Sequence, residues 1–253
     1  MTNTDDIRVA LVVPVFNEAH RWNESYWVQL VATGNCALAF VNDGSTDSSG
    51  LNLSRLVARC RPREVTVLNN PQNLGKAESV RRGLNHFVMN GFDGDRDYVG
   101  FLDADGAFSL TEVERFIGIA RRSAHHYGVS KPDAIFSSRV ALSGRRIDRN
   151  LGRHYVARLV HTLLGIRHRN LPYDTQSGLK IFHCSPDLIQ VLRVPFVTRW
   201  LFELEMILRF RSSHRSFVIR EEPLEEWRDV AGSTITNREF IRIAFEFLKI
   251  VVK

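Results

Sequence analysis

Short apolar runs alternate with longer amphipathic stretches along the first 108 residues. The runs at residues 7–13, 37–41, 65–68 and 98–102 are rich in Val, Ile, Leu and Phe and predict buried strands. The stretches between them predict helices at about residues 22–33, from the turn at 45–47 to residue 60, and at 77–89. Strands that alternate with helices of this length predict right-handed βαβ units, and therefore a mostly parallel sheet with helices on both faces.

The remaining chain is less regular. The pattern predicts a helix at 111–127, strands at 134–137, 179–182 and 216–220, helices at 186–192 and 199–211, and an amphipathic helix at 237–252. We expect a small antiparallel element in this half. No linker, repeat or low-complexity stretch interrupts the sequence, so residues 1–253 are predicted to form a single α/β domain.

Acidic residues follow three of the predicted strands. Asp103 and Asp105 come directly after the fourth strand, and Gly106 permits a sharp turn there. The carboxyl ends of parallel strands are where such sheets bind ligands, and Mg²⁺ is usually held by one or two carboxylates together with substrate phosphates. This pattern indicates a metal-bridged diphosphate, although a polar turn after a strand is the simpler interpretation of Asp-x-Asp alone.

Two further strand ends and one helix start fit the same ligand. Glu18 and Asp43 can accept hydrogen bonds from ribose hydroxyls or a base edge, because ionised carboxylates only accept. Lys76 stands near a helix start, where a cation and free N–H groups can meet a phosphate. Loop solvation and helix capping are the alternative roles. The first strand is not followed by G-x-G-x-x-G and the chain has no P-loop, so a different device must hold the phosphates.

Charge and cysteine usage narrow the class of partner and the compartment. The formal net charge is +6, and residues 139–169 hold eight arginines and three histidines against one acid, Asp148. This distribution indicates an anionic partner. Three cysteines without metal-ligand spacing fit a reducing cytosol. There is no signal-peptide pattern and no run of 18 apolar residues, so we expect a cytoplasmic protein, peripheral at most at the inner face of the membrane.

Five motifs occur in order at plausible spacing. They are PVFNE at 14–18, VNDGSTDSS at 41–49, NLGKAESVRRG at 73–83, FLDADGAF at 101–108 and DTQSGLKIF at 174–182. Together they resemble the family 2 glycosyltransferases, which have the GT-A fold. The later stretches RWLFELEMILRF at 199–210 and PLEEWRDVAGST at 223–234 are similar to the branch that glycosylates dolichyl or polyprenyl phosphate with glucose or mannose.

The resemblance implies an inverting transfer of a hexose from a nucleotide diphosphate sugar, most similar to UDP-glucose, with Mg²⁺ or Mn²⁺ held by Asp103 and Asp105. Residues 1–108 would bind the donor and residues 109–253 the acceptor. The implied donor-binding residues are Pro14, Phe16, Glu18, Asp43, Asn73, Lys76, Asp103, Ala104 and Asp105, and the implied catalytic residues are Asp174, Glu205 and Arg139.

Two acceptors remain open. A polyprenyl phosphate needs cations, for which the segment offers Arg139, Arg145, Arg146, Arg149 and Arg153, and half of these would only be solvated. A saccharide hydroxyl of a glycan, capsule or cell-wall polymer needs a general base instead, which would be Asp174 or Glu205. Glu203 and Glu205 cannot share one helix face, so at least one of them is structural or solvated.

Other functions fit less well. A sugar nucleotidyltransferase would carry a Gly-rich loop after its first strand, where this chain has PVFNE. A nucleic-acid-binding module would explain the arginines but would leave the acidic strand ends unused, so we expect no nucleic-acid partner. The apolar tail helix requires cover from the domain, from a second copy in a homodimer or from peripheral membrane contact.

Overall fold

A computed structural model describes residues 7–60, 64–92, 96–125, 131–148, 171–212, 217–228, 230 and 246. The strands are β1 (Val9–Val15), β2 (Ala37–Asn42), β3 (Val65–Asn69), β4 (Tyr98–Leu102), β5 (Ala134–Ser138), β6 (Arg146–Asp148), β7 (Leu179–His183), β8 (Ile219–Pro223) and β9 (Glu226–Arg228). The helices are α1 (Glu24–Ala32), α2 (Ser49–Arg59), α3 (Lys76–Met89), α4 (Leu110–His125), α5 (Pro186–Leu192) and α6 (Phe202–Ser212).

Seven strands form one sheet in the order β3-β2-β1-β4-β7-β5-β8. The four strands of the first half are parallel, and β8 is parallel to β5. Strand β7 lies antiparallel between β4 and β5. The predicted fold class, a mostly parallel sheet with an antiparallel element in the C-terminal half, is therefore confirmed.

Alternation along β1 explains how helices cover both faces of the sheet. Leu11 and Val13 pack in a layer that includes side chains of α1, α2 and α4. Ala10 and Val12 point the other way, into a layer with side chains of α3, α5 and α6. Successive side chains of a strand point to opposite faces, so an unbroken apolar run is the sequence signal of a strand buried on both sides.

Several boundaries differ from the prediction. Helix α6 begins at Phe202 instead of residue 199, and the N–H groups of residues 199–201, ahead of the helix, donate to the Glu246 carboxylate. Strand β8 lies three residues further along the chain than predicted. The two-stranded parallel sheet of β6 and β9 was not predicted, since three-residue strands carry too short a pattern to be recognised.

Two predicted features lie wholly or largely outside the described residues. These are the tail helix at 237–252, apart from Glu246, and the basic segment from residue 149 to 169, which includes Arg149 and Arg153. Among the residues that the structure does describe, no helix combines the length and apolar character needed to cross a membrane.

Candidate functional site

The loops after β1 and β2 are joined to each other at the carboxyl edge of the sheet. Asn17 has a left-handed backbone (φ 54°), and its side-chain oxygen accepts a hydrogen bond from the Thr46 N–H at 2.8 Å. The Glu18 N–H donates to Ser49 Oγ at 2.8 Å. The Glu18 carboxylate accepts from the Arg21 guanidinium at 2.7 and 2.5 Å, which fixes its direction and balances its charge. Two loops from different strands thus form one rigid rim.

Three other predicted donor residues, two at the end of β1 and one after β4, differ in exposure. Phe16 is 43% exposed and Pro14 is half-buried at the end of β1. Ala104 is buried between the two aspartates that follow β4. An exposed aromatic ring beside a polar loop offers a stacking face for a planar ligand, and the role of these three residues in donor binding stays a prediction.

Asp43 is buried and its carboxylate has protein partners on both oxygens. Oδ1 accepts from Asn70 Nδ2 at 2.6 Å and from the Leu74 N–H at 2.8 Å, and Oδ2 accepts from the Gly75 N–H at 2.8 Å. These bonds shape residues 70–75, the loop that leads into α3. The geometry favours an indirect role for Asp43, because a carboxylate with three internal donors has little capacity left for a nucleoside.

The same loop brings Arg199 to the start of α3. The Arg199 guanidinium donates to Asn73 Oδ1 at 2.6 Å. Gly75 has φ +95°, and a Cβ on it would lie 2.6 Å from Arg199 Nε, so only glycine permits this approach. Arg199 therefore stands next to Lys76 at the rim, although the sequence analysis gave it no role.

Lys76 contacts the first of the two aspartates after β4. Its Nζ lies 2.7 Å from Asp103 Oδ1 and 4.0 Å from Glu203 Oε1. Burial lowers the pKa of Lys76, but the charges of Asp103 and Glu203 outweigh burial and leave that pKa raised. The lysine is therefore firmly cationic at the position where a diphosphate would meet the sheet edge.

Burial and the nearby Asp103 charge raise the pKa of Asp105 to about 6. A hydrogen bond from the Ala107 N–H to Asp105 Oδ1, at 3.1 Å, opposes that rise. The effect of Asp103 on Asp105 shows two neighbouring carboxylates, and such a pair of hard oxygen ligands suits Mg²⁺ or Mn²⁺. Asp103 and Asp105 thus fit the expected cation. Among the described residues no larger His, Cys, Asp or Glu cluster could hold one, so substrate oxygens would complete the site.

The loop before β7 packs directly on Asp103. The Asp103 N–H donates to the Gly178 carbonyl at 2.9 Å. A Cβ on Gly178 would overlap the Asp103 carboxylate, so this position requires glycine. Ser177 is tied to β5 by a 2.5 Å hydrogen bond with the Ser137 hydroxyl. The loop at 174–178 is therefore fixed against the predicted metal ligands.

Asp174, at the other end of this loop, forms a two-point ion pair with Arg139. Arg139 Nε and Nη2 donate to the two carboxylate oxygens at 2.7 and 2.8 Å, and the Arg139 N–H donates to Oδ2 at 3.0 Å. Burial alone would raise the pKa of Asp174, but the charge and hydrogen bonds of Arg139 lower it far below its usual range. Asp174 is consequently a very weak base.

Lys180 is fully buried in the middle of β7 and the sequence analysis gave it no role. Its ammonium donates to the Ser177 carbonyl and lies 5.4 and 5.1 Å from the ring centroids of Phe101 and Phe136. Burial lowers the pKa of Lys180 to about 8, while the charge of Glu203, followed by that of Asp174, opposes the decrease. A lysine inside an otherwise apolar strand is the sequence signal that could have revealed this position.

Glu203 is also buried, and burial raises its pKa although Lys180 and Lys76 act against the rise. Charges of alternating sign, of which Asp174, Lys180 and Glu203 are buried, therefore lead from the loop at 174–178 to the predicted metal site. We call this series the charge row, and it comprises Arg139, Asp174, Lys180, Glu203, Lys76 and Asp103. Three positive and three negative groups balance, which makes the burial of Asp174, Lys180 and Glu203 tolerable.

Glu205 faces a different part of the protein. Its carboxylate accepts from the N–H groups of Val197 and Thr198 at 3.0 Å and pairs with Arg209 at 2.6 Å. Glu203 and Glu205 thus occupy different faces of α6. A catalytic role for Glu205 stays a prediction, but these contacts favour a structural role, and Glu203 is the acid beside Lys76.

The arginines expected to receive an anionic acceptor have different surroundings. Arg139 is paired with Asp174, as described above. Arg145 pairs with Glu225 at 2.8 Å and Arg146 with Glu226 at 2.9 Å, along the β6–β9 ladder. The described part of the segment therefore holds most of its positive charge against nearby acids.

The fold and the site together define an α/β protein with an acidic, lysine-paired centre at the carboxyl edge of a mostly parallel sheet. The sequence model of "Glycosyl transferase family 2" matches residues 10–175, and this chain belongs to that family. The family predicted from the five motifs, and with it a glycosyltransferase activity, is thereby confirmed.

Individual relatives point to one branch of the family. A dolichyl-phosphate beta-glucosyltransferase of Trichomonas vaginalis is 24% identical over 98% of this chain and 72% of its own length. The dolichyl-phosphate beta-glucosyltransferase of Saccharomyces cerevisiae is 25% identical over 90% of this chain and 69% of its own length. These names agree with the branch that the later motifs indicated.

Solved structures agree on the fold. Glucosyl-3-phosphoglycerate synthase from Mycobacterium tuberculosis, in complex with phosphoglyceric acid, aligns with a TM-score of 0.65 at 15% identity, over 97% of this chain and 78% of its own. The same enzyme in complex with Mn²⁺, UDP and phosphoglyceric acid aligns with a TM-score of 0.62 at 16% identity, over 97% of this chain and 77% of its own. At this identity the likeness establishes the architecture.

Proposed function

We propose that this protein transfers a hexose, with glucose from UDP-glucose as the first choice, to the phosphate of a polyprenyl phosphate with inversion at the anomeric carbon. The observation that carries the choice of acceptor is the ion pair between Asp174 and Arg139. Arg139 lowers the pKa of Asp174 so far that Asp174 would be a poor base for removing a proton from a hydroxyl group. A phosphate acceptor is already ionised and needs no general base.

Donor binding follows from the rim and the charge row. The loops carrying Phe16, Glu18 and Asn73 would hold the nucleoside, and Lys76 would meet the diphosphate. Asp103 and Asp105 would hold the divalent cation, which when bound would stabilise negative charge on the departing nucleotide. Lys76 supplies a fixed positive charge at the same place without any reorganisation during the reaction.

The chemical step then requires alignment more than proton transfer. An oxygen of the acceptor phosphate forms the new bond to the anomeric carbon while the bond to the nucleoside diphosphate breaks. Two anions must approach each other, so cations between them lower the barrier. Lys76 and Arg199 at the rim, with Arg139 behind Asp174, are the described residues placed to supply this charge.

The proposal is tested with two acceptors that differ only in the phosphate. Transfer from labelled UDP-glucose to a short-chain polyprenyl phosphate is compared with transfer to the corresponding polyprenol, with Mn²⁺ or Mg²⁺ present, and GDP-mannose serves as the alternative donor. We expect transfer to the polyprenyl phosphate and no transfer to the polyprenol. Equal transfer to the alcohol, or transfer only to a neutral saccharide, would overturn the assignment of the acceptor.

A further inference from the structure

Exposed apolar side chains are concentrated in one short stretch of the described chain. Eight large hydrophobic residues of the described part are exposed, and three of them lie within nine residues: Ile189 (37%), Val194 (62%) and Val197 (54%). The other five are spread between residues 16 and 142. Scattered exposed apolar residues need no explanation, whereas a local concentration marks an interaction surface.

The fold holds this stretch in one conformation from the inside. Arg209 donates to the carbonyl groups of Val191, Val194 and Pro195 at 2.9, 2.6 and 2.7 Å. Glu205 accepts from the Val197 N–H at 3.0 Å. The ion pair on α6 thus binds three backbone groups of residues 193–197, namely the carbonyls of Val194 and Pro195 and the N–H of Val197, while the two valine side chains are exposed. A loop ordered in advance loses little entropy when it binds.

One aromatic ring anchors the same loop. The Phe196 ring centroid lies 5.7 Å from that of Phe202, and the Arg209 guanidinium lies 4.8 Å from the Phe196 ring. Phe196 therefore packs inward between two exposed valines. Because the loop keeps its large ring on the protein and presents Val194 and Val197 to the exterior, its exposed apolar surface is a built feature.

Charge and position indicate what this surface meets. Arg193 and Arg199 flank it, and the chain has a net charge of +6. Arg199 also donates to Asn73 at the rim of the site. Only Thr198 lies between Val197 and Arg199, a span of at most about 7 Å. The exposed valines therefore lie within a short distance of the place where the acceptor phosphate would be bound.

We propose that residues 193–197 form a docking loop for an anionic membrane surface. Val194 and Val197 enter the boundary between headgroups and acyl chains, and Arg193 and Arg199 remain at the level of the lipid phosphates. The inference rests on the proposed function, because a membrane-resident lipid phosphate is the acceptor that such a loop would serve. The docking loop sets the mouth of the site at the plane where that phosphate resides.

Vesicle binding tests the docking loop. The full chain is sedimented with phosphatidylcholine vesicles, with and without phosphatidylglycerol, as wild type and as Val194→Asp/Val197→Asp. We expect wild type to bind the anionic vesicles and the double variant to lose binding on the order of tenfold or more, since two apolar side chains are replaced by charges. Leu51→Asp/Met89→Asp, at residues 52% and 84% exposed elsewhere, adds the same charge and should bind like wild type.

The remaining outcomes separate the two proposals. Without vesicles, all three proteins should transfer to a short-chain polyprenyl phosphate at equal rates and should melt alike. Three results of the vesicle assay would overturn the docking loop: no binding of wild type, an equal loss of binding in the control variant, or unchanged binding of Val194→Asp/Val197→Asp. A difference in molecular mass between wild type and Val194→Asp/Val197→Asp, measured by light scattering, would also overturn it, because it would identify a protein contact. If vesicle binding behaves as expected while no protein transfers to polyprenyl phosphate, the proposed acceptor fails and the docking loop stands.

Discussion

At the scale of single residues, the site depends on charges that burial makes sensitive to their neighbours. In the charge row each ion has a partner of opposite sign on at least one side, as Lys76 has Asp103 at 2.7 Å and Glu203 at 4.0 Å. Removing one member leaves the next one uncompensated, which costs far more than the pair contributes. Conservative substitutions that keep shape but remove charge are therefore the informative ones.

The predicted role of Asp105 as a cation ligand requires an ionised carboxylate, and that ionised state lowers the stability of the fold. Its pKa, raised to about 6 by burial and by Asp103, compares with about 4 in an unfolded chain. The folded protein thus binds this proton more tightly, and ionisation of Asp105 increasingly opposes folding as the pH rises from about 4 to about 6. We predict that Asp105→Asn raises Tm at pH 7, by roughly 2–4 °C for each kcal/mol regained, while it abolishes transfer.

Calorimetry and thermal unfolding check this prediction. Wild-type UDP binding should weaken at least tenfold in EDTA and should weaken again as the pH falls below about 6, because the protonated carboxyl group is a poor cation ligand. Asp105→Asn should bind UDP equally with and without EDTA. Asp148→Asn, an exposed position on β6, is the control and should match wild type. Undiminished UDP affinity of wild type in EDTA would refute a role for the cation in donor binding.

Lys180 gives a second prediction at this scale. Burial lowers its pKa to about 8, so the ammonium that holds the Ser177 carbonyl loses its proton as the pH rises above that value. We expect wild-type transfer to decline above about pH 8. Lys180→Arg should remove this decline because arginine stays charged. Lys180→Met should lower kcat about 10- to 100-fold at pH 7 and should also lower Tm, since it leaves the buried Glu203 with one cation fewer.

Transfer rates from pH 6 to about 9.5, measured together with Tm for the three proteins, test the role of the Lys180 charge. A structural role alone would change the rate by the same factor at every pH, whereas a role of the Lys180 charge gives Lys180→Arg a level pH profile where wild type declines. A wild-type rate that stays level to pH 9.5, or full activity of Lys180→Met, would contradict the prediction.

At the scale of elements, α6 depends on a residue far away in the sequence. The Glu246 carboxylate accepts from the N–H groups of Arg199, Trp200 and Leu201 at 2.9, 3.0 and 3.3 Å, directly before the helix begins. These N–H groups precede the helix, so the carboxylate fixes the turn that leads into α6, and a negative charge near a helix start is favourable. Helix α6 carries Glu203, Glu205 and Arg209, so its start positions both the charge row and the docking loop.

We predict that Glu246→Ala lowers the free energy of unfolding by about 1–2 kcal/mol, because three backbone donors lose a charged acceptor. Glu226→Ala is the matched control, because it removes an acid from an ion pair whose Arg146 side chain is 85% exposed. Exposed pairs contribute about 0.5 kcal/mol or less. The free energies of unfolding of both variants are measured with urea. Equal decreases would show that Glu246 does not stabilise the start of α6.

The elements also show which parts of the fold the sequence could predict. The strands β1, β2 and β4 were predicted because their apolar runs are local, and the acids that follow them were placed at one sheet edge for the same reason. Lys180 and Glu203 received no role, because their meeting depends on β7 lying antiparallel between β4 and β5. No periodicity encodes that arrangement. The hydrogen bonds from residues 199–201 to Glu246 join positions 45 or more residues apart, so no local pattern predicts them either.

At the scale of the whole molecule, the charge row joins the two halves of the chain. Lys76 and Asp103 belong to the predicted donor half, whereas Arg139, Asp174, Lys180 and Glu203 belong to the predicted acceptor half. The match to residues 10–175 covers the first half and ends just beyond Asp174. The predicted donor and acceptor halves therefore meet where Lys76 lies 4.0 Å from Glu203, and an assay that measures nucleotide binding and transfer separately can distinguish defects in the two halves.

The nature of the acceptor sets the last prediction. If the acceptor is an anion, Arg139 serves it by neutralising Asp174, which would otherwise place a second buried negative charge beside the incoming phosphate. Arg139→Ala should then lower transfer to a short-chain polyprenyl phosphate at least 100-fold while UDP binding persists. Asp174→Asn should cost less, since an amide beside Arg139 leaves a positive charge that the phosphate can use.

The double variant Arg139→Ala/Asp174→Asn separates this account from general base catalysis. Under the anionic-acceptor account it should recover part of the activity lost in Arg139→Ala, because the unpaired carboxylate is removed. If Asp174 were the base for a hydroxyl acceptor, Asp174→Asn alone would abolish transfer and the double variant would be no better. Steady-state kinetics of the four proteins with polyprenyl phosphate, and calorimetry with UDP, measure the coupling. Arg139 and Asp174 are joined by three hydrogen bonds, so the anionic-acceptor account requires their effects on transfer to be coupled. A coupling energy near zero would refute that account.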